Sequence, residues 1–371
     1  MKLENVDFLS VAAGSTSLAR ECPVDEFSLS EAIAVARKCA LHFQQASGQS
    51  LEVLFDEGEA TALIAAARIL SSVGAHLKNH PNVEQYGEGD ELLLSSAIMF
   101  SMYGNFPSAH AVLERISFDY ILEMDERIVA AVVADPRMIG RFLRANFRFQ
   151  ETRSLLVRWE QFLMTGKDEI FDEVTKAFER LMLTNSIAEA ALLRNARIAM
   201  RQVYGLSTVR CLMHAETAVP QELIEGLLKT GVVTLLPPQR KLLYEKRIAS
   251  DAENVLLNLP TSTGKSLIAE CCVTASFRGQ PGLAVIVVPY VAIGNQFVAA
   301  LRSHLRHSSF HVRSMFGGYK LDKGIDPGSR KEILVTTPER FDAWIRANGI
   351  GDELKIIVFD EIGRASCRER V

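Results

Sequence analysis

The residues with the clearest chemistry form the run Leu259–Ser266, which reads Leu-Pro-Thr-Ser-Thr-Gly-Lys-Ser. We predict a strand before this run and a helix after it. A turn in that context presents backbone N–H groups and a helix N-terminus to phosphates, with Lys265 reaching the β- and γ-oxygens and the Ser266 hydroxyl binding Mg²⁺. Leu259 stands where the phosphate-loop pattern GxxxxGK[ST] has glycine. The predicted nucleotide-binding residues of this loop are Pro260, Thr261, Ser262, Thr263, Gly264, Lys265 and Ser266.

Two adjacent carboxylates, Asp360 and Glu361, end the apolar run Ile356–Phe359. Asp360 is predicted to hold the Mg²⁺ shell, and Glu361 to orient or deprotonate the attacking water. Together with the phosphate loop, they indicate a nucleotide hydrolase. Its predicted catalytic residues are Lys265, Asp360 and Glu361, and its predicted metal ligands are Ser266 and Asp360.

The elements that must position these groups alternate between strand and helix from about residue 231. The predicted strands are Asn254–Asn258, Leu283–Val288, Val312–Phe316, Ile333–Thr336 and Lys355–Phe359, and helices are predicted near 265–277, 291–305 and 339–347. Nearly continuous apolar strands are typical of a parallel sheet that is covered on both faces. The fold class is therefore α/β, with an incomplete RecA-like domain over residues 231–361.

Residues 1–230 are predicted to form an all-α domain. A capping box at Ser28–Glu31 precedes the first apolar periodicity. Further helices are predicted near 58–78, 91–104, 107–116, 119–134, 137–149, 152–164, 168–183, 187–204 and 220–229.

Five short elements in a fixed order resemble the first RecA-like domain of superfamily 2 helicases of the DEAD/DEAH type. They are Leu236–Gln239, Pro260–Ser266, Pro289–Gln296, Thr337–Arg340 and Asp360–Glu361. The amino-acid sequences of the second and fourth elements are similar to those of the Ski-like branch and of bacterial helicases of phage-defence systems.

The resemblance implies ATP and Mg²⁺ as cofactors and an adenine contact for Gln239. It also implies that one strand of DNA or RNA is held through its sugar–phosphate backbone, although Val291 stands where the family often has a basic residue. A second RecA-like domain, which supplies arginine fingers in such proteins, is expected to be missing, so the chain should bind ATP but hydrolyse it poorly. The residues predicted to contact nucleic acid are Pro289, Gln296, Thr337, Pro338 and Arg340.

The charge is unevenly distributed along the 371 residues. Residues 1–130 carry 8 Lys and Arg against 19 Asp and Glu, whereas residues 131–371 carry 33 against 26. A polyanion should therefore prefer the later part of the chain. No apolar run approaches the roughly 18 residues that a membrane helix needs, and acids interrupt the N-terminal stretch, so we expect no membrane partner and a cytoplasmic protein.

The residues from Glu361 to Val371 look like the in-frame translation of a common short-read sequencing adapter. We therefore expect residues 362–371 to be a non-native tail and the chain to be an N-terminal piece of a longer protein.

Two alternatives remain open. The leading hypothesis is a helicase or translocase whose helical domain binds a protein partner or regulates the motor, and the alternative is an ATP-gated interaction protein that unwinds nothing. A row of arginines, Arg137, Arg141, Arg144 and Arg148, could follow a phosphate backbone, but a solvated helix face, or pairing with the acidic stretch Glu114–Glu126, is the better interpretation. His304, His307 and His311 lack the partners of a zinc site.

Overall fold

The computed structural model describes residues 57–78, 83–184, 187–213, 217–250, 254–259, 263–316, 326–349 and 351–360. These residues belong to two compact units that divide between Arg210 and Cys211. The predicted capping box at Ser28–Glu31 and the predicted tail lie outside the described residues. The domain boundary at residue 230 stays a prediction.

The described part of the first unit is helical, as the apolar periodicity predicts. Its largest fully buried side chains include Trp159, Phe142, Phe162 and Phe178. Its helices are α1 (Glu57–Lys78), α2 (Val83–Met102), α3 (Phe106–Leu113), α4 (Phe118–Leu122), α5 (Asp125–Ala134), α6 (Ile139–Phe142), α7 (Gln150–Thr165), α8 (Asp168–Thr184) and α9 (Ile187–Leu206), while α10 (Thr208–Leu212) crosses the division between the units.

The second unit is built around a four-stranded parallel sheet with the strand order β2-β3-β1-β4. Its strands are β1 (Gly282–Val287), β2 (Phe310–Met315), β3 (Lys331–Thr336) and β4 (Leu354–Phe359). Its helices are α11 (Gln221–Lys229), α12 (Pro237–Arg240, continued by a π turn at Lys241–Glu245), α13 (Lys265–Ala275), α14 (Val291–His304) and α15 (Pro338–Asn348).

Helices cover both faces of this sheet. On one face, α13 packs against β1 and β4, and α14 packs against β2 and β3. On the other face, Phe341 of α15 joins a core with Leu283, Val285 and Leu334. Every residue of β1 is buried. This arrangement confirms the predicted α/β class, in which both faces of a parallel sheet are apolar.

The predicted strand at Asn254–Asn258 is wrong, because residues 254–259 form no strand in the structure. Val255 and Leu256 are exposed rather than packed on the sheet. An extended segment becomes a strand only when a neighbour pairs its backbone, and none of the described strands pairs with this one.

The predicted helix 137–149 is also wrong. Residues Pro136–Met138 form a 3-10 turn, α6 ends at Phe142, and the chain then runs through turns to α7. At the end of the segment, the buried Asp125 carboxylate accepts hydrogen bonds of 2.9 Å from the backbone N–H groups of Arg148 and Phe149. These N–H groups are therefore unavailable to a helix.

None of the helices in the described part of the chain combines the length and the apolar composition that a membrane crossing requires.

Candidate nucleotide and nucleic-acid site

The described end of the phosphate loop is Gly264, the N-cap residue of α13. Its φ of 71° lies in the left-handed region, which glycine adopts without steric cost. Its carbonyl accepts a 3.0 Å hydrogen bond from Nε2 of Gln239, and Oε1 of the same side chain accepts one of 2.8 Å from the Leu236 N–H. A Cβ on Gly264 would lie 2.1 Å from that Nε2. Gln239 is buried, and its hydrogen bond to Gly264 holds it against the phosphate loop.

Helix α13 begins with the two residues predicted to hold phosphate and metal. Lys265 is half-buried, and its Nζ lies 3.4 Å from the Leu259 carbonyl oxygen; Ser266 is exposed. Because α13 packs along β1 and leads within a few residues into Gly282, its first turn points toward the carboxyl edge of the sheet.

Three strands end side by side at that edge. Val287 is in register with Thr336 on one side and with Phe359 on the other. The Val288 N–H donates to the Thr336 carbonyl and the Asp360 N–H donates to the Val287 carbonyl, both at 2.9 Å. Because the strands end at the same level, the loops that follow β1, β3 and β4 are neighbours, with the β1 loop in the middle.

The predicted strand-binding residues occupy two of these loops. Pro289 follows β1 and is half-buried, whereas Gln296 is exposed on the second turn of α14. Thr337 is the buried N-cap of α15, Pro338 is the first residue of that helix, and Arg340 is half-buried two residues later. Across the described part of the chain, Arg340 has no carboxylate at ion-pair distance.

Four predicted site residues lie outside the described residues, so their roles stay predictions. They are Pro260, Thr261, Ser262 and Glu361.

The arginine row does not form a common face, since α6 ends before its last two members. Arg137 Nε lies 2.8 Å from the buried carboxylate of Asp135. Arg141 lies 3.9 Å from Glu114 and 4.2 Å from the centre of the Phe118 ring. These contacts agree with pairing to neighbouring acids and rings.

The histidine triplet forms no metal site, and no group of three or more potential ligands occurs among the residues that the structure describes. His304 instead contacts Glu270, a buried carboxylate of α13 that the sequence analysis missed. The available signal was an acid on the apolar side of a predicted helix.

The adjacent thiols of α13 are not candidate nucleophiles. Burial raises the pKa of Cys272 to about 11 and raises that of Cys271 well above its usual value. Both therefore stay protonated at neutral pH and serve as small apolar side chains.

Three features define a RecA-like nucleotide-binding domain. They are a parallel sheet with helices on both faces, the sequence Gly-Lys-Ser at the start of α13, and a strand that is followed by an aspartate at the same edge of the sheet. Comparison with known proteins shows what this domain is similar to: residues 238–370 match the model of the DEAD/DEAH box helicase family. This part of the chain is similar to the RecA-like domain of superfamily 2 helicases.

Several curated relatives resemble the same region. The chain is 30% identical over 157 residues to the ATP-dependent DNA helicase Hel308 of Pyrococcus abyssi, which is 42% of the chain and 21% of the relative. It is 27% identical over 213 residues to the probable ATP-dependent helicase MJ1401 of Methanocaldococcus jannaschii, covering 57% of the chain and 25% of the relative. It is 24% identical over 138 residues to the Hachiman protein HamB of Bacillus cereus, covering 36% and 12%. The aligned region thus spans a quarter or less of each of these relatives.

Proposed function

We propose that this chain carries the ATP-binding half of an ATP-dependent helicase or translocase that moves on one strand of nucleic acid. The proposal rests on one observation: β3, β1 and β4 end at the same level of the sheet. The Thr337 loop, the Pro289 loop and Asp360 are therefore neighbours. A motor must bind its nucleotide close to the nucleic-acid strand on which it moves, and one edge of the sheet supplies groups suited to both ligands.

The nucleotide half of the proposal assigns ATP and Mg²⁺ to the start of α13. Lys265 would contact the β- and γ-phosphates, Ser266 and Asp360 would hold the metal ion, and Glu361 would orient the attacking water. Gln239 uses one N–H on Gly264, which leaves its second N–H for adenine. The Gln239–Gly264 contact supports this assignment because it joins the proposed base and phosphate sites.

The nucleic-acid half assigns the strand to the loops after β1 and β3. Polar groups of Gln296, Thr337 and Arg340 suit sugar and phosphate oxygens, while Pro289 and Pro338 would set the course of the two loops. The names of the relatives favour DNA as the strand. A second RecA-like domain would complete the motor, and the helical first unit would bind a protein partner or regulate it. A cytoplasmic location fits this role.

Titration with a fluorescent ATP analogue in the presence of Mg²⁺ tests the nucleotide site. Lys265→Ala removes a preorganised charged donor that is worth on the order of 3 kcal/mol in comparable sites, so affinity should fall by more than about 100-fold. Lys355→Ala, which removes an exposed lysine near the start of β4, is the matched control and should bind like the parent. Equal affinity of Lys265→Ala and parent, both folded, would overturn the assignment.

Fluorescence anisotropy with a single-stranded oligonucleotide measures binding to the proposed strand-binding loops and separates the two functional hypotheses. A motor domain should bind oligonucleotides of unrelated sequence with similar affinity. An ATP-gated interaction protein should bind the nucleotide but no oligonucleotide.

A further inference from the structure

Helix α13 contains a buried carboxylate among apolar residues. Glu270, five residues after Lys265, is 2% exposed, and its helix neighbours Ile268, Cys271 and Val273 are buried as well. Its Oε2 lies 2.7 Å from Nδ1 of His304, the last residue of α14. A buried carboxylate is costly unless it is paired, and this contact supplies the pair.

His304 is held from a second side by α11. A Cβ built on Gly226 would lie 1.6 Å from the His304 carbonyl oxygen, so the backbones of α11 and α14 touch at this point. The position of the imidazole is therefore fixed by backbone packing on one side and by the Glu270 carboxylate on the other.

His304 also lines a cavity of about 280 Å³ between α11 and the end of α14. Glu270 contacts the imidazole from α13. The titratable side chains that line the cavity besides His304 are both acidic and basic. They are Glu222, Glu225, Lys229, Arg306 and His307.

The two helices joined by this pair start at the two proposed sites. Helix α13 starts at Lys265, at the phosphate loop, and α14 starts at Val291, directly after Pro289 and Tyr290 in the proposed strand-binding loop. Each helix moves as a rigid body, so a contact between the middle of α13 and the last residue of α14 transmits a displacement of one helix to the other.

We propose that Glu270 and His304 are positioning residues that couple ATP binding to strand binding, an inference that rests on the proposed function. The pair fixes the position of α13 relative to α14, so a nucleotide that shifts the first turn of α13 also shifts the strand-binding end of α14. Apolar residues of similar volume could fill the same space, but they would lack the directional hydrogen bond that fixes one helix against the other.

The coupling is measured as the factor by which a saturating single-stranded oligonucleotide changes the affinity for a fluorescent ATP analogue with Mg²⁺. The parent chain should give a factor of about five or more, and linkage requires the same factor when the nucleotide is varied instead. Glu270→Leu should reduce the factor to about one. Glu270→Gln keeps a side-chain oxygen within reach of the imidazole and should preserve most of the coupling.

Glu332→Leu is the matched control. Glu332 is 1% exposed, and its Oε2 accepts a 2.9 Å hydrogen bond from Nε of Arg313, but this pair joins β3 to β2 and not α13 to α14. Its loss should lower stability toward urea and leave the coupling factor unchanged. If Glu270→Leu fails to fold, the double variant Glu270→Leu/His304→Leu leaves no charge unpaired and should likewise show a factor of about one.

The results separate this inference from the proposed function. A parent chain that binds neither nucleotide nor oligonucleotide refutes the proposed function and this inference with it. A parent that binds both with a factor of one refutes the coupling alone. A folded Glu270→Leu variant that keeps the parental factor, or an equal loss in Glu332→Leu, also overturns the role of the pair.

Discussion

Replacing Gly264 with alanine tests the contact between the phosphate loop and Gln239. A Cβ at this position would lie 2.1 Å from Gln239 Nε2, well inside van der Waals distance. The tip of a glutamine can rotate away, but this one is buried and its amide makes hydrogen bonds to the Gly264 carbonyl and the Leu236 N–H. The new methyl group therefore fits only when those bonds are broken.

The cost has two parts. An alanine in the left-handed region costs roughly 1–2 kcal/mol. Breaking the two bonds of Gln239 costs about 1 kcal/mol each. Gly279→Ala is the matched control, because Gly279 has a φ of 79° and a Cβ there would meet nothing within 4 Å. Gly264→Ala should therefore destabilise the second unit by about 2 kcal/mol more than Gly279→Ala.

Urea unfolding of the full chain measures this difference. The sequence has two tryptophans, Trp159 in the first unit and Trp344 in the second, so in a Trp159→Phe background the fluorescence of Trp344 reports on the second unit alone. Adding Gln239→Ala removes the obstructing side chain and should bring the two glycine variants within about 0.5 kcal/mol of each other. Equal stability of the two variants while Gln239 is still present would refute the reasoning.

The remaining predictions concern packing and the strand. Gly226→Ala forces a methyl group against the His304 carbonyl and should cost about 1–3 kcal/mol by urea unfolding, whereas Gly205→Ala, which meets nothing within 4 Å in α9, should cost nothing; a tolerated Gly226→Ala would contradict the packing. Arg340→Ala should weaken oligonucleotide binding equally across sequences, as measured by anisotropy. It should also reduce the slope of the logarithm of the binding constant against the logarithm of the salt concentration by roughly 0.7. Arg346→Ala, on the same helix but paired with Asp342, should leave the slope unchanged.

Four of the five predicted strands are confirmed to within two residues at each end. The runs that became β1 and β3 contain the consecutive apolar residues Leu283–Val287 and Ile333–Val335 and are buried at nearly every position, as expected for strands of a sheet that is covered on both faces. The fifth, Asn254–Asn258, has a similar composition but no partner among the described strands. Composition predicts that a segment can be a strand, whereas pairing decides whether it is one.

The helix predicted over residues 137–149 was wrong for a related reason. Its arginines and phenylalanines have helical spacing, but the Asp125 carboxylate binds two backbone N–H groups at the end of the segment. Asp125 lies more than 20 residues earlier in the chain. A local pattern contains no information about such a long-range hydrogen bond.

The candidate site shows the same division between local and long-range information. The sequence predicts site roles for Gln239, Lys265 and Asp360, because phosphate and metal chemistry requires particular residue types next to strand ends and helix starts. The pairing of Glu270 with His304 could not be predicted, because the two residues are 34 positions apart and the contact exists only in the folded sheet, where α13 packs against β1 and β4 and α14 against β2 and β3. Since β1 and β3 are neighbours in the sheet, helices that pack on them can meet at the Glu270–His304 contact. We therefore expect the strand order of the sheet, rather than either motif, to set the position of the Glu270–His304 contact through which the two proposed sites would be coupled.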